Sequence, residues 1–382
     1  MIASLCVPPP NTVRSQNVNL CCSTCSKTTV PSASRSCWVA RYAVACLALA
    51  LLATSWVTTP AVAQVPGLSG TVIVTNKTPS TATIIDVATG NTLAVIPTGP
   101  GPHEIALSGD GLTAVVTDYS GPVGTRKTLT VVDVGGRRVA RTIELGEYRS
   151  PHGIQFLPGD TLVAVTSEAS RHVIIVHVAT GVIRKVIPTQ FAGSHMIGVV
   201  RDGSRAFTGN IGGNSVTELD LDAGTFVRSF DVPAQPEAIN VTPDGREVWV
   251  GSNATGKVSV LEPSNGRVTT VAEGVSWPYR VVFTPDVRTV VIPDLRNHEV
   301  RFLDRTTRRE LSRLSLPGAG PQGICITPDA RYVLLSLSTE ARVAIIEMKT
   351  RTVVGHLPAG ETPDGIVYTP RVFAGARPSE RP

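Results

Sequence analysis

Apolar residues recur two apart in a short phrase that a proline or serine opens and a turn closes, and the phrase returns seven times along the chain. It starts at Pro102 (PHEIALSGDG), Pro151 (PHGIQFLPGD), Ser194 (SHMIGVVRDG), Pro236 (PEAINVTPDG), Pro278 (PYRVVFTPDV), Pro321 (PQGICITPDA) and Pro363 (PDGIVYTPRV). Pairs such as Ile105/Leu107, Ile154/Phe156, Ile239/Val241 and Ile324/Ile326 have the period of a strand, because successive side chains of an extended chain point to opposite faces. The starts are 49, 43, 42, 42, 43 and 42 residues apart. That spacing suits a four-stranded propeller blade, and no segment carries the sustained 3.6 period of a helical repeat.

Three further β-rich runs follow each phrase, for example Val248-Trp-Val250, then Lys257-Val-Ser-Val-Leu261, then Val268-Thr-Thr-Val271. Valine and threonine with Gly, Pro and Asp punctuation every few residues make the chain all-β. The seventh phrase supplies one strand before the chain runs into an Arg/Pro-rich end. The three strands it lacks stand at the front, as Thr71-Val-Ile-Val-Thr75, Thr83-Ile-Ile85 and Thr92-Leu-Ala-Val-Ile96. A blade built from both termini pairs edges that would otherwise stay open. The expectation is a seven-bladed β-propeller of four-stranded antiparallel blades over residues 71–370, six blades contiguous and one composite. A linker at 64–70 and a flexible tail at 371–382 flank it.

Val72-Ile-Val-Thr-Asn76 followed by Ile85-Asp-Val-Ala-Thr-Gly90 resembles the YVTN-type propeller repeat, also called YncE-like, over roughly residues 69 to 370. The resemblance implies the fold and little about function, since such domains occur as exported binding proteins, surface proteins and parts of redox or hydrolytic systems. The Asp of the repeat's Asp-x-x-x-Gly turn stands as Asp86 and Asp220, becomes Glu262 and Glu347, and departs to His177 in one blade. Turn chemistry, in which a side-chain acceptor bonds nearby backbone N–H groups, explains these residues without a site.

The segment from Met1 to Ala63 has no acidic residue, an uncharged run from Tyr42 to Trp56, and the small-x-small triplet Ala61-Val-Ala63 ahead of Gln64. This pattern predicts a secretory signal peptide cleaved before Gln64 and a periplasmic or secreted product. The apolar run is short for a membrane span, so no span is expected in the mature chain. The leader holds four of the 35 basic residues, which leaves 31 against 30 acidic ones, a net charge of +1. A balance so near zero offers no global field for nucleic acid. Six of seven cysteines also lie in the leader, so the mature chain keeps Cys325 alone and forms no internal disulfide. A monomer held together by its core is expected.

In such a ring the a–b and c–d turns of every blade lie on one face, and the b–c and blade-to-blade links lie on the other. The first face repeats structural turn residues. The second collects the residue just before each inner strand: His103, His152, His195, Glu237, Tyr279, Gln322 and Asp364, with Arg280 beside Tyr279. These eight are the candidate ligand-binding residues, expected to ring the mouth of the central channel. Extra residues in the first interval, Ser120 to Arg126, fall in a b–c loop over the same face.

Three histidines at one register on consecutive blades make His103, His152 and His195 candidate ligands of a transition metal, with Glu237 and Asp364 nearest by register to fix their tautomers. The simpler reading is a polar funnel. Arg280 reads as an anion hook or as a charge balancing Glu237 and Asp364. Gly251-Ser-Asn-Ala-Thr-Gly256-Lys257 has P-loop spacing but is followed by Val258 and joins two strands where a helix would have to start, so it is rejected. No Cys-x-x-Cys-His or Gly-x-Ser-x-Gly is present. Cys325 alternates with Ile324 and Ile326 and reads as a core residue.

The leading functional expectation is therefore an exported binding scaffold that presents the channel mouth to a small molecule or a protein. The alternative is a metal-dependent propeller enzyme of the lactonase or lyase type, or an accessory of a periplasmic dehydrogenase.

Overall fold

The computed structural model describes residues 65–119 and 126–373; the expected signal peptide, and residues 120–125 of the first b–c loop, lie outside the described residues. In the described residues 28 strands form seven four-stranded antiparallel sheets, as the repeat count requires. Six sheets are contiguous in sequence. The seventh runs in the order Pro363–Thr369, Thr71–Asn76, Thr81–Asp86, Thr92–Pro97, so both ends of the chain meet in one blade. Its closing pair is antiparallel, with Val72 opposite Tyr368 and Val74 opposite Ile366. Among the described residues no helix is long and apolar enough to cross a membrane.

The core follows from the alternation. Middle strands such as Thr71–Asn76 and Tyr332–Leu337 are buried at every residue because neighbouring blades cover both faces, whereas outer strands such as Arg138–Glu144 alternate and face solvent. Seven apolar clusters result, one at each junction between blades. One of them joins Ile73, Ile84 and Ile96 of the composite blade to Ile105, Val116 and Val132 of the next. Each fully buried aliphatic side chain contributes roughly 1.5–3 kcal/mol, so the ring closes by the same packing that joins its other blades.

Two local features aim the residues at the mouth. Inner strands bulge just after their first residue: Pro102 pairs with Asp118 but Ile105 with Val116, and the same shift follows Pro151, Ser194, Pro236 and Pro321. A bulge leaves its extra residue unpaired and turns the side chain out of the normal alternation. Second-strand hydroxyls then tie the next blade: Thr75 Oγ1 donates to the carbonyl of His103 (3.0 Å), Thr166 Oγ1 to that of His195 (2.6 Å) and Ser336 Oγ to that of Asp364 (2.6 Å). Such contacts leave no room at Gly153, where a Cβ would stand 2.8 Å from the His195 carbonyl oxygen.

The blade that starts at Pro278 departs from this pattern. Its inner strand is reduced to Val282–Phe283 plus a single bridge from Pro278 to Asp294. Pro293 on the adjoining strand has neither the N–H nor the hydroxyl that Thr117 and Thr166 supply at the equivalent place, so the ladder breaks there. At the described ends of the chain side chains reach the ring, and residues 374–382 of the expected tail lie outside the described residues. Leu68 is buried in the junction core, Tyr368 Oη donates to the Ser69 carbonyl (2.6 Å), and Phe373 packs against the cluster containing Ile105.

The turn residues behave as their chemistry predicts. Asp86 and Asp220 accept backbone N–H groups three residues on, at 3.0 and 2.7 Å. His177 does the same through Nδ1, accepting from the Thr180 N–H (3.2 Å), so the departure from Asp keeps the turn.

Candidate functional site

The structure brings the sequence-selected residues to one end of the channel and shows them turned inward. His103, His152, His195, Glu237, Tyr279, Arg280 and Asp364 are buried, and Gln322 is half-buried. The mouth is therefore a closed polar layer and not an open funnel, because its side chains pair with one another across the axis.

Asp364 is one hub. Its Oδ2 lies 2.7 Å from Lys77 Nζ and 2.9 Å from His103 Nδ1, and accepts the Tyr279 hydroxyl at 3.0 Å. Glu104 is the second: it pairs with the Arg280 guanidinium and stands 3.1 Å from His103 Nδ1. Arg280 also donates to the Tyr279 carbonyl (2.5 Å) and lies over the Tyr279 ring, 4.2 Å from its centroid. The direct carboxylate partner of Arg280 is thus Glu104, not the expected Glu237 or Asp364. Glu168 is the third hub, 3.2 Å from His195 Nδ1 and accepting the Tyr119 hydroxyl at 2.7 Å. Glu237 accepts from Asn253 and is 4.0 Å from His195 Nε2.

The three histidines stand side by side, one pair tilted and the other stacked. The His103 and His152 rings are 4.2 Å apart between centroids and tilted by 54°, whereas His152 and His195 are 3.5 Å apart at 29°. Tyr119 meets the His103 and His152 rings edge-on at 5.2 and 4.8 Å.

Burial dominates the electrostatics. It lowers the pKa of His103, helped by Lys77 and Arg280 against the pull of Asp364, and holds His152 well below the ordinary histidine value, with His195 and His103 adding to the effect. Tyr279 is pushed far up by burial and by Asp364. Arg280 is lowered by burial to about 10 and stays charged at neutral pH. For Asp364 burial acts upward, but His103, Lys77 and Arg280 outweigh it and hold the carboxyl well below its usual range. For Glu168 too, the bond and charge of His195 overcome burial. Before the imidazoles are counted, four carboxylates (Glu104, Glu168, Glu237, Asp364) face Lys77 and Arg280, with Arg126 over the Tyr119 ring, a formal charge of −1.

Several buried polar atoms of this layer have no hydrogen-bond partner: both ring nitrogens of His152, Asp364 Oδ1, Asn253 Oδ1 and Gln322 Oε1. Native interiors leave few such atoms, and a concentration of them marks a place where the protein has donors and acceptors to offer. Below the Glu104–Arg280 pair the channel opens into a cavity of about 240 Å³ lined by isoleucines such as Ile105, Ile154 and Ile239 together with the polar Gln155 and Asn240.

Ligand atoms of His103, Glu104 and His152 lie within 4.8 Å of one another, a grouping suited to a metal ion. His195 stands apart from that group. Its Nδ1 turns to Glu168 and its ring lies nearly face-on to His152, and because imidazole lone pairs lie in the ring plane, two stacked rings do not converge on one ion. Cys325 packs against the core, and burial pushes its thiol up to about 12, which suits a packing role.

Sequence reasoning missed Glu104, Lys77, Tyr119 and Glu168. Glu104 follows His103 where four of the six other phrases carry the small Gly153, Ala238, Gly323 and Gly365, and the two others Met196 and Arg280, so its size and charge were a signal. Lys77, Tyr119, Glu168 and Asn253 each follow the second strand of a blade and form a second ring over the mouth, legible once strand ends are known.

No family model matches the chain. Among solved structures it is similar to Kuenenia stuttgartiensis hydrazine synthase, at 18% identity with a TM-score of 0.64, over 73% of this chain and 92% of that one. It is similar also to a functionally unknown protein from Desulfotomaculum acetoxidans, at 16% identity and a TM-score of 0.65, over 78% of this chain and 99% of that one. At such identities the likeness is one of fold, and with the seven closed sheets it makes this chain a seven-bladed β-propeller.

Proposed function

We propose that the chain is an exported propeller of the YVTN-repeat (YncE-like) kind that serves as a binding scaffold and takes a small molecule or protein partner at its channel mouth. One observation carries the reading: the buried polar layer gathers residues from most of the blades on one face, whereas the turns of the other face satisfy themselves, as at Asp86 and Asp220. Rigid closure supports it, since a preorganised scaffold spends little binding energy on ordering itself. The leader pattern at Ala61-Val-Ala63 supports export, which N-terminal sequencing of the protein from its host would test.

The binding face is tested by hydrogen–deuterium exchange of the purified protein with and without a small-molecule extract of the host. Protection at 102–105, 150–153 and 194–196 is expected. Protection confined to the opposite turns contradicts the reading. A second reading, a metal-dependent propeller enzyme, is favoured by the closeness of His103, Glu104 and His152.

A further inference from the structure

We propose that His103, Glu104 and His152 hold one divalent transition-metal ion at the channel mouth, of the zinc, cobalt or nickel class, with Arg280 as a built-in competitor for the carboxylate. The proposal rests on the reading of the mouth as the binding face and names the ligand class for it.

The donors come from two adjacent blades, the first opening with Pro-His-Glu and the second with Pro-His. Their ligand atoms already lie within 4.8 Å of one another. Donors bound at roughly 2.0–2.2 Å to a common ion stand about 3–4 Å apart, so side-chain rotation suffices to close the set. His152 supplies the independent observation. It is fully buried, and neither ring nitrogen makes a hydrogen bond of good geometry, although the backbone of His195 approaches the ring. Leaving a buried donor or acceptor unmade is unfavourable, and an ion would take the imidazole lone pair.

Neighbouring groups fit the same role. Asp364 Oδ2 and Glu104 Oε1 both lie near His103 Nδ1, at 2.9 and 3.1 Å; with the proton kept on Nδ1 by Asp364, Glu104 turns from that nitrogen to the ion and Nε2 is left to ligate, the arrangement in which a carboxylate orients a ligating histidine. Glu168 and His195 back His152 through the ring stack and hold its plane. The formal −1 charge of the layer offsets part of a dication's charge. Two imidazoles with one carboxylate favour borderline metals over calcium or magnesium. Three protein donors also leave a coordination position open, where water or a further ligand binds.

Arg280 pairs with Glu104, the one carboxylate in the set. Ion and guanidinium therefore share or contest it, which makes Arg280 a determinant of affinity although it ligates nothing.

The test is titration of the metal-stripped full chain with cobalt(II), followed by calorimetry and by visible absorption, with zinc(II) as displacing ion. One equivalent of cobalt is expected. His152→Ala and Glu104→Gln should each weaken binding at least tenfold with unchanged far-ultraviolet circular dichroism, and His298→Ala should leave it unchanged. Arg280→Met should tighten binding several-fold, a gain that misfolding cannot produce. The proposal is overturned if folded wild-type protein binds neither ion stoichiometrically, if binding survives His152→Ala, or if Arg280→Met brings no gain. Failure here with mouth protection by the extract intact would remove the metal and leave the scaffold reading standing.

Discussion

Lys77 Nζ stands 2.7 Å from Asp364 Oδ2, so an ion pair at the channel mouth joins the first strand of the propeller to the last. The Lys77 N–H also donates to the Thr362 carbonyl (3.0 Å), which fixes the same seam through the backbone. Asp364→Asn keeps the shape but strips the charge from a fully buried hub and leaves Lys77 without its counter-ion. Removing one member of a buried pair costs about 3 kcal/mol or more. Urea unfolding should show that loss, and an unchanged midpoint would mean the seam does not depend on this pair.

Closure itself gives the second prediction. Deleting residues 71–96 removes three strands from the composite blade and leaves Pro363–Thr369 unpaired. Open edges pair with other chains, so the truncated protein should aggregate in size-exclusion chromatography. A soluble, cooperatively unfolding truncation would contradict the composite blade.

The third concerns pH. Burial pushes Asp118 up to about 6 from 3.8, against hydrogen bonds from Thr128 (2.7 Å) and Thr130 (3.0 Å). Because the folded value is the higher one, the stability this group contributes is present in acid and is lost as pH rises through about 6, amounting to roughly 3 kcal/mol. Asn76 occupies the equivalent place in the composite blade and donates to Thr81 (3.0 Å) and Thr83 (2.8 Å). Asp118→Asn should therefore reproduce the pair of bonds with donor and acceptor exchanged. Thermal melts should find the variant more stable than its parent at pH 7 and nearly equal to it at pH 4. A variant less stable at pH 7 would contradict this account of the corner.

Gly153→Ala tests how the inner strands are spaced. The added Cβ would meet the His195 carbonyl oxygen and the Ile197 nitrogen, both at 2.8 Å and both backbone. Forcing the strands apart should cost about 1–3 kcal/mol. The same change should shift the His152 and His195 ring resonances in NMR spectra, and spectra that superpose on the parent would show the spacing to be slack.

Blade number, strand order and the composite blade are legible in the sequence because a two-residue period repeated seven times leaves one architecture that buries every apolar row. The mouth histidines are legible for the same reason, since equivalent positions of a repeat meet around one axis. Partners across the axis are not. That Arg280 reaches Glu104 in a blade far away in sequence depends on side-chain reach within the closed ring, and the repeat period carries no such information. The weak inner strand at Val282–Phe283 could have been foreseen from Pro293, whose missing N–H is visible in the sequence. The tie of Leu68 and Phe373 to the core could not, because nothing periodic marks them.

If the proposed site exists, buried side chains of the mouth converge on one cation-binding point. Crystals soaked in zinc and measured on both sides of its absorption edge test it most directly. One strong anomalous peak is expected, enclosed by His103, Glu104 and His152, with Arg280 drawn back from the carboxylate. Zinc found only at outlying histidines such as His177 or His298, with the Glu104–Arg280 pair undisturbed, would contradict it.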